Sequence, residues 1–180
     1  MKIVVTTPLY PPDIEEEAAY SKEAAKRLAE KHHVTVVAYT RLPEKIPGVE
    51  VISVSKRQPI FLRVPKYTYA LLRAARGADL IYVQNGVSVE LPVVLVSFVT
   101  RAQIVLHIAD PAAHARAKKS LLLNLIQQLA FSRSKNIFVD MPVRKPEILP
   151  FEPHPTEALS TYEDSWREHL QRLGHILRHG

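Results

Sequence analysis

Residues 1–40 read MKIVVTTPLYPPDIEEEAAYSKEAAKRLAEKHHVTVVAYT, and the pattern of this stretch decides the fold. Residues 2–6 form an apolar run rich in β-branched side chains, which is typical of a buried strand. A helix pattern follows over residues 14–31, and a second strand pattern over residues 34–39. A strand, a helix and a strand in this order indicate a parallel βαβ unit with a right-handed crossover.

The rest of the chain continues this alternation. Further strands are predicted over residues 49–54, 79–84, 103–108 and 136–140, and further helices over residues 60–76, 88–100, 112–133 and 161–178. We therefore predict an α/β fold, a Rossmann-like parallel sheet of about six strands with helices on both faces. In such sheets, ligands bind outside the carboxyl ends of the strands.

The length of 180 residues suits a single domain, and we assign residues 1–141 to it. Five prolines lie between residues 142 and 155, so residues 142–160 are interpreted as a Pro-rich strap across the surface. Residues 161–180 are predicted to form a C-terminal helix that packs back on the same domain. Thr161 and Asp164 suggest a capping box, and Trp166, Leu170, Leu173 and Leu177 form an apolar stripe.

The composition is that of an ordinary globular protein, with 47% hydrophobic and 23% charged residues. The longest apolar run, residues 91–99, is far short of the roughly 20 residues that span a bilayer. The absence of cysteine excludes disulfides, thiolate metal sites and cysteine nucleophiles. No signal-peptide pattern is visible, so we expect a cytoplasmic protein. Fourteen prolines against five glycines predict stiff loops, as in proteins from thermophiles.

The net charge of +6 is unevenly distributed. There is no acid between Glu50 and Asp79, or between Asp110 and Asp140. The bases in these two acid-free stretches form either solvated helix faces or a surface for anionic lipid headgroups or a polyprenyl-phosphate acceptor. The second interpretation would place the protein peripherally at the inner membrane surface. No nucleic-acid recognition motif accompanies them, and no nucleic acid is expected. The predicted basic surface comprises Arg57, Arg63, Lys66, Arg73, Arg116, Lys118 and Lys119.

The turn after the first strand, Pro8 to Glu17, holds four acids and no glycine. In nucleotide-binding βαβ units this turn is glycine-rich, so that backbone N–H groups can approach a phosphate. Here Asp13 is predicted as the helix N-cap, with Glu16 closing a capping box. The helix dipole offers an anion roughly 0.3–1 kcal/mol, whereas a carboxylate about 4 Å away costs on the order of 4 kcal/mol at an effective dielectric near 20. The turn is therefore predicted to stabilise the helix rather than to hold a diphosphate.

Polar residues after three strands define a candidate cleft at the carboxyl edge of the sheet. Asn85 and Gly86 form either a tight turn or a pair of amide donors for a ligand. Asp110 either caps the following helix before Pro111 or acts as an acid–base group. The predicted cleft residues are Tyr10, Asp13, Glu15, Glu16, Asn85, Gly86, Asp110 and His114, with Asp110 as the one catalytic candidate.

A metal site at His107, Asp110 and His114 is the alternative to a structural role for these histidines. His107 lies inside an apolar strand and Pro111 interrupts the geometry, which favours the structural role. No Walker loop, G-x-G-x-x-G or G-x-S-x-G motif is present. We therefore expect no metal and no cofactor.

The stretch MKIVVTTPLYPPDI and the following AAYSKEAAKRLAEKHHVTVVAYT resemble the amino-terminal, acceptor-side domain of family-4 GT-B glycosyltransferases. ADLIYVQNG is similar to the fourth strand and turn of that family, and QIVLHIADP to the strand before the acceptor-side loop. The resemblance covers roughly residues 1–140. The tail TYEDSWREHLQRLGHIL also resembles the last helix of these enzymes, which returns from the second domain to pack on the first.

The chain departs from the family pattern at three places. The two glycines of the family, which approach the donor diphosphate, correspond to Glu15 and Glu16. A His-Asp pair after the fifth strand reads Ala109-Asp110, so only Asp110 carries over. No second Rossmann domain follows residue 140, and with it the nucleotide-sugar site and the E-x7-E motif are missing.

The resemblance and its departures imply a stand-alone acceptor-type domain that is not catalytically competent alone. One alternative is the acceptor subunit of a heteromeric glycosyltransferase, whose partner supplies the nucleotide-sugar domain. Another is a basic binding or scaffold module at a membrane surface. The expected partners are accordingly a donor-domain protein or a second copy of the chain, together with an anionic lipid or glycan acceptor.

Overall fold

The computed structural model describes residues 1–84, 86–108, 115, 119–138 and 155–179. The chain divides into two compact units, Met1–Val139 and Asp140–Gly180, and each is considered by itself. The first unit contains a six-stranded sheet in the order β3-β2-β1-β4-β5-β6. The strands are β1 (Lys2–Thr7), β2 (His33–Tyr39), β3 (Val49–Val54), β4 (Leu80–Gln84), β5 (Gln103–His107) and β6 (Asn136–Phe138).

Every strand pair in this sheet is parallel. Strands β1 and β4 lie side by side at the centre, with Ile3 opposite Leu80 and Val5 opposite Tyr82. From β1 the chain winds outward through β2 to β3, and from β4 it winds the other way through β5 to β6. The predicted Rossmann-like parallel sheet is confirmed, and its winding direction reverses between β1 and β4.

Helices cover both faces of the sheet. In the first unit these are α1 (Glu16–Ala29), α2 (Ile60–Ala75), α3 (Val87–Ser97) and α4 (Leu121–Arg133). Ile81 and Val83 of β4 belong to one core cluster with residues of α2 and α3, whereas Tyr82 between them is hydrogen-bonded to Tyr20 of α1. Because neighbouring strand residues point to opposite faces, α1 covers the face opposite to α2 and α3.

The core beneath α2 is centred on two stacked tyrosines. The Tyr39 and Tyr67 rings lie 4.1 Å apart between centroids, and both side chains are buried. The Tyr67 hydroxyl lies 2.6 Å from Thr6 Oγ1 and donates to the Val37 carbonyl at 2.7 Å. The Tyr39 hydroxyl donates to the Ser88 carbonyl at 3.0 Å. These contacts fix α2 and the start of α3 on the strands that lead to the candidate cleft.

Two predicted helix boundaries are wrong. The predicted helix over residues 112–133 is not continuous, since Lys119 lies in a turn and Ser120 is an extended N-cap residue (φ −104°, ψ 125°) before Leu121. The helix therefore begins only at Leu121, because serine favours the N-cap position over a helix interior. The last helix, α5 (Pro155–His179), begins before the predicted residue 161. Proline suits the first helical position, where its missing N–H has no intrahelical partner.

The early start of α5 changes two further predictions. Residues 155–160 are helical, so they do not belong to an extended strap, and residues 142–154 of the predicted strap lie outside the described residues. Thr161 is an interior residue of α5, so it forms no capping box with Asp164. Instead, Asp164 pairs with Arg167 at 2.7 Å. The packing of α5 on the sheet domain stays a prediction.

Candidate functional site

The winding direction of the sheet reverses between β1 and β4, and ligands of this architecture bind in the crevice expected beside such a reversal, at the carboxyl edge of the sheet. Two loops meet there. A Cβ atom built on Gly86, after β4, would lie 3.0 Å from Pro8 Cγ, in the loop after β1. Such a distance is shorter than normal van der Waals contact. Gly86 (φ 156°) therefore allows the two loops to touch, a close backbone approach that a larger residue would obstruct.

The amide of Gly86 is already engaged by a carboxylate. Gly86 is the N-cap residue of α3, and its N–H donates to Glu90 Oε1 at 3.3 Å. Of the two interpretations of this turn, the geometry favours a local turn over a free amide donor at Gly86. Asn85, Asp110 and His114 lie outside the described residues, so the roles predicted for them stay predictions.

Glu90 is a residue that sequence reasoning missed. It is the single acid of α3, and its side chain is 1% exposed. Its second carboxylate oxygen is buried and has no hydrogen-bond partner in the described part of the chain. Burial raises the pKa of Glu90, and the hydrogen bond from Gly86 opposes this shift. The sequence signal was one carboxylate within an otherwise apolar helix.

A polar network lies beneath the first turns of α1 and connects that helix to the two central strands. Gln84, the last residue of β4, accepts hydrogen bonds from Thr7 at 2.5 Å and from Ser21 of α1. The Gln84 side-chain amide donates to the Glu17 carbonyl at 3.0 Å. All three side chains are buried. Because every member has a partner, this network holds the start of α1 at the carboxyl edge of the sheet.

The acidic turn differs from its prediction in how Asp13 is used. Helix α1 begins at Glu16, and Glu15 is its N-cap residue, with no hydrogen bond from a side chain. Asp13 accepts a hydrogen bond from Lys56 Nζ at 2.6 Å and another from the Tyr10 N–H at 3.4 Å. The predicted capping box of Asp13 and Glu16 is therefore wrong. Asp13 lies two residues before the N-cap, and its carboxylate is held by Lys56. Glu15 is exposed, and the side chain of Glu16 lies outside the description.

Tyr10 is fully buried, although it was predicted to line the cleft. Its hydroxyl has no hydrogen-bond partner among the described residues. Burial raises the pKa of Tyr10 to about 12, and the nearby Glu44 carboxylate adds to the shift. A contact between Tyr10 and a ligand stays a prediction, and in this structure the side chain offers no surface for one.

His107 lies in an aromatic cluster on the α1 face of the sheet. Its ring centroid is 4.9 Å from that of Tyr20 and 6.0 Å from that of Tyr82. The two tyrosine hydroxyls are hydrogen-bonded at 2.7 Å, and burial raises both tyrosine pKa values well above their ordinary range. In the described ranges, no three His, Asp or Glu side chains come together as metal ligands. Packing is the role of His107 that the structure shows.

The predicted basic surface is only partly exposed. Four of its side chains are in contact with solvent: Arg57, Lys66, Arg73 and Lys119. Arg63 is half-buried, with its guanidinium carbon 5.2 Å from the centre of the Tyr39 ring and a hydrogen bond to the Lys56 carbonyl at 3.2 Å. Arg116 and Lys118 lie outside the described residues. Arg63 is thus fixed by its neighbours rather than available as a surface cation.

Comparison with known proteins shows the fold. Neither the protein-family models nor the curated proteins include a match to this chain. Among solved structures, Anabaena Alr3699/HepE in complex with UDP matches with a TM-score of 0.53 and 19% identity, over 76% of this chain and 37% of the other. Sucrose-phosphate synthase (tll1590) from Thermosynechococcus elongatus matches with a TM-score of 0.58 and 13% identity, over 75% and 41%.

A Listeria monocytogenes protein assigned as a UDP-N-acetylglucosamine 2-epimerase matches with a TM-score of 0.52 and 16% identity, over 79% of this chain and 38% of the other. The chain thus spans well under half the length of the structures it resembles. These likenesses are to glycosyltransferase and epimerase folds. The chain has a glycosyltransferase-like, GT-B-type Rossmann fold.

The structure contains no helix, within the residues it describes, that is both long enough and apolar enough to cross a membrane.

Proposed function

We propose that residues 1–138 form the acceptor-side domain of a family-4-like GT-B glycosyltransferase, and that these 180 residues do not bind a nucleotide sugar by themselves. The resemblance of residues 1–40 to the family supports the assignment to the acceptor side. The fold shared with a UDP-bound protein supports the choice of UDP-type nucleotides as probes. The single observation that carries the second half of the proposal is the carboxylate at the start of α1.

Backbone N–H groups at a helix N-terminus are the usual phosphate donors at this crevice. At α1, the N-cap residue is the exposed acid Glu15, and Glu16 and Glu17 follow it. A carboxylate about 4 Å from a phosphate charge costs about 1 kcal/mol in bulk water and about 4 kcal/mol near a protein surface. The helix dipole stabilises an anion by roughly 0.3–1 kcal/mol, so the repulsion between carboxylate and phosphate at least cancels this stabilisation.

The lysine that contacts this turn does not reduce the repulsion between the acids and a phosphate. Lys56 approaches the loop from the end of β3, and its ammonium group already pairs with Asp13 at 2.6 Å. The neighbouring helix provides no substitute donor at its N-cap, since the Gly86 N–H is bonded to Glu90. A diphosphate entering there would meet the exposed acid at the start of α1, and at the start of α3 it would find the N-cap N–H already bonded to the buried Glu90 side chain.

Titration calorimetry with UDP, UDP-glucose and UDP-N-acetylglucosamine tests the proposal. We expect no dissociation constant tighter than the millimolar range. Two variants separate the causes: Glu15→Gln with Glu16→Gln removes the charge, and Glu15→Gly with Glu16→Gly also restores a close backbone approach. Glu30→Gln, at the far end of α1, is the matched control. A micromolar constant for the unaltered chain, about −8 kcal/mol, would refute the proposal.

The two variant pairs also rank the causes of weak binding. Binding gained by both pairs would identify charge repulsion as the barrier, and binding gained by the glycine pair alone would identify the backbone. If neither pair binds, the acidic turn is secondary. Donor binding would then depend on a nucleotide-sugar domain that these 180 residues do not include.

For the donor side we propose a nucleotide-sugar domain on a separate polypeptide. The resemblance of the α5 sequence to the last helix of family-4 enzymes supports this arrangement, because that helix joins the two halves of such an enzyme. Transfer between donor and acceptor requires both to be held in one geometry. Affinity purification of the tagged chain from its native extract should recover a protein with a GT-B donor domain, and recovery of the chain alone would contradict this proposal.

A further inference from the structure

Helices α2, α3 and α4 form one layer on the same face of the sheet. Buried residues of α2 and α3 share a core cluster with the strands, and Phe131 of α4 packs against the same cluster. The guanidinium carbon of Arg133, at the end of α4, lies 4.2 Å from the centre of the Phe98 ring after α3. We call the exposed side of this layer the outer face. Its exposed apolar residues are Ile60, Phe61, Leu62, Tyr69, Leu95, Phe98, Val99, Leu121, Leu122, Leu125 and Leu129.

Helix α4 is apolar on two adjacent sides. Ile126 and Ala130 face the core and are buried. The side next to these residues carries Leu122, Leu125 and Leu129, which follow at the helical spacings of three and four and are exposed. Leu122 is 64% exposed. A surface helix normally turns its apolar stripe to the core, whereas α4 also has three leucines that face water.

Helix α2 alternates apolar and basic residues on its outer side. Leu62, Lys66, Tyr69 and Arg73 follow at spacings of four, three and four, and all four are exposed. Phe61, in the first turn of the same helix, is 70% exposed. This spacing places apolar and cationic side chains together on one side of the helix.

The outer face carries bases but no exposed acid. Among the described residues of α2, α3 and α4 the single carboxylate is Glu90, which is buried. Asp79 lies outside the layer, at the amino end of β4, and accepts a hydrogen bond from the Lys2 N–H at 2.7 Å. The exposed bases of α2 and α4 are Lys66, Arg73 and Arg133.

We propose that the outer face docks on a bilayer that contains anionic phospholipids. Exposed leucines and a phenylalanine supply groups that insert at the headgroup boundary, and bases without intervening acids are attracted to a negative surface. A folded protein partner would favour a mixed polar rim, and nucleic acid would not require exposed leucines. The described helices do not span a bilayer, so the proposed association is at its surface.

This surface is independent of the crevice between β1 and β4, because it lies on the solvent side of the helices rather than at the carboxyl edge of the sheet. The proposal goes beyond the proposed function and does not rest on it. A chain that binds vesicles and also binds UDP tightly would retain the membrane surface and refute the acceptor-domain proposal. A chain that binds neither vesicles nor UDP tightly would refute the membrane surface and leave the acceptor-domain proposal intact.

Vesicle co-sedimentation tests the proposal with the full chain. The vesicles contain phosphatidylcholine alone, or phosphatidylcholine mixed with phosphatidylglycerol. We expect binding to the mixed vesicles that falls as salt is raised, and little binding to the neutral ones. Circular dichroism and urea denaturation of every variant establish that it is folded.

Two pairs of substitutions separate the two contributions. Leu122→Ser with Leu125→Ser should weaken partitioning about tenfold or more, because it removes two inserting side chains. Lys66→Gln with Arg73→Gln should weaken it about fivefold for each base removed. The matched controls are Leu42→Ser, at a residue 74% exposed in the loop after β2, and Lys26→Gln on α1. Both controls should bind as the unaltered chain does.

Three results would overturn the proposal. The first is equal binding to neutral and anionic vesicles, and the second is a loss in the controls as large as in the outer-face pairs. The third is the absence of vesicle binding together with a concentration-dependent dimer, measured by analytical ultracentrifugation, that Leu122→Ser with Leu125→Ser abolishes. That last result would assign the outer face to a second copy of the chain.

Discussion

Tyr67→Phe tests whether one buried hydroxyl holds α2 on the central strands. The Tyr67 side chain is fully buried, and its hydroxyl contacts Thr6 Oγ1 at 2.6 Å, the Val37 carbonyl at 2.7 Å and the Thr7 carbonyl at 3.3 Å. The substitution keeps the ring and its stacking on Tyr39, so it removes only the hydrogen bonds. Thr6 is also buried, and no water can replace the lost partner without a rearrangement.

The expected cost follows from these contacts. A net buried hydrogen bond contributes about 1 kcal/mol, and a buried polar group left without its partner costs about 1–3 kcal/mol. We therefore expect Tyr67→Phe to lower the free energy of unfolding by about 2–3 kcal/mol. With a urea m-value of roughly 2 kcal/mol/M, the midpoint should fall by more than about 1 M.

Tyr69→Phe is the matched control on the same helix. Tyr69 is 65% exposed, so its hydroxyl is solvated, and the control should stay within about 0.5 kcal/mol of the unaltered chain. Adding Thr6→Val to Tyr67→Phe should recover part of the loss, because both partners of the bond are then apolar. If the two Tyr→Phe variants unfold at the same urea concentration, the hydroxyl does not hold α2 in the way we infer.

Three further predictions follow from the described geometry. Gly86→Ala should destabilise the chain by about 1–3 kcal/mol in urea denaturation, because the new Cβ meets Pro8 Cγ, 3.0 Å away. Gly174→Ala in α5, with nothing within 4 Å, should be neutral or stabilising by up to about 1 kcal/mol, and equal effects at the two glycines would contradict a close contact at the cleft. Glu90→Gln should gain stability over the unaltered chain as pH rises above 4.5, because burial raises the pKa of Glu90 and the native state then holds a proton that the unfolded state releases. Urea midpoints that change in parallel across pH in the two proteins would count against a buried, protonated Glu90. Above pH 10, each buried tyrosine with a raised pKa should reduce stability by up to about 1.4 kcal/mol per pH unit, so that the phenolate absorbance of these tyrosines rises together with the loss of circular dichroism rather than before it. Five tyrosines have a raised pKa: Tyr10, Tyr20, Tyr39, Tyr67 and Tyr82.

The sheet was predictable because its strands are buried on both faces. Residues of β1 and β4 are almost all buried, and the short apolar runs Ile3–Val5 and Leu80–Val83 between helix patterns are typical of strands covered on both faces. The helix ends were less predictable, because a cap depends on competing partners. Asp13 has the right residue type for an N-cap, but Lys56 holds its carboxylate from a position 43 residues along the chain. No local pattern could reveal that competition.

The carboxyl edge at which we expect the site was predictable, but the contacts that the structure shows there were not. The carboxyl edge of β1 and β4 follows from the order of strands and helices alone. The network of Thr7, Ser21 and Gln84 does not, because Thr7 and Gln84 lie 77 residues apart in the sequence and become neighbours only through the parallel pairing of β1 and β4. Glu90 was missed for a similar reason, since its importance comes from burial rather than from a motif.

Both helices that start at this edge of the sheet have acids near their N-termini, but the acids act differently at the two helices. At α1, the acids at the N-cap and the next two positions complement the helix dipole from within the chain. At α3, the Glu90 carboxylate reaches back one turn and accepts the N-cap N–H of Gly86. A phosphate binds at a helix N-terminus because free N–H groups and the positive end of a dipole are unoccupied there. At α3 an incoming diphosphate would compete with the Glu90 side chain for the Gly86 N–H, whereas at α1 it would meet the exposed acid Glu15. Our proposal that the acidic start of α1 opposes nucleotide binding therefore rests on charge repulsion at that helix, and not on N–H groups that a side chain already occupies.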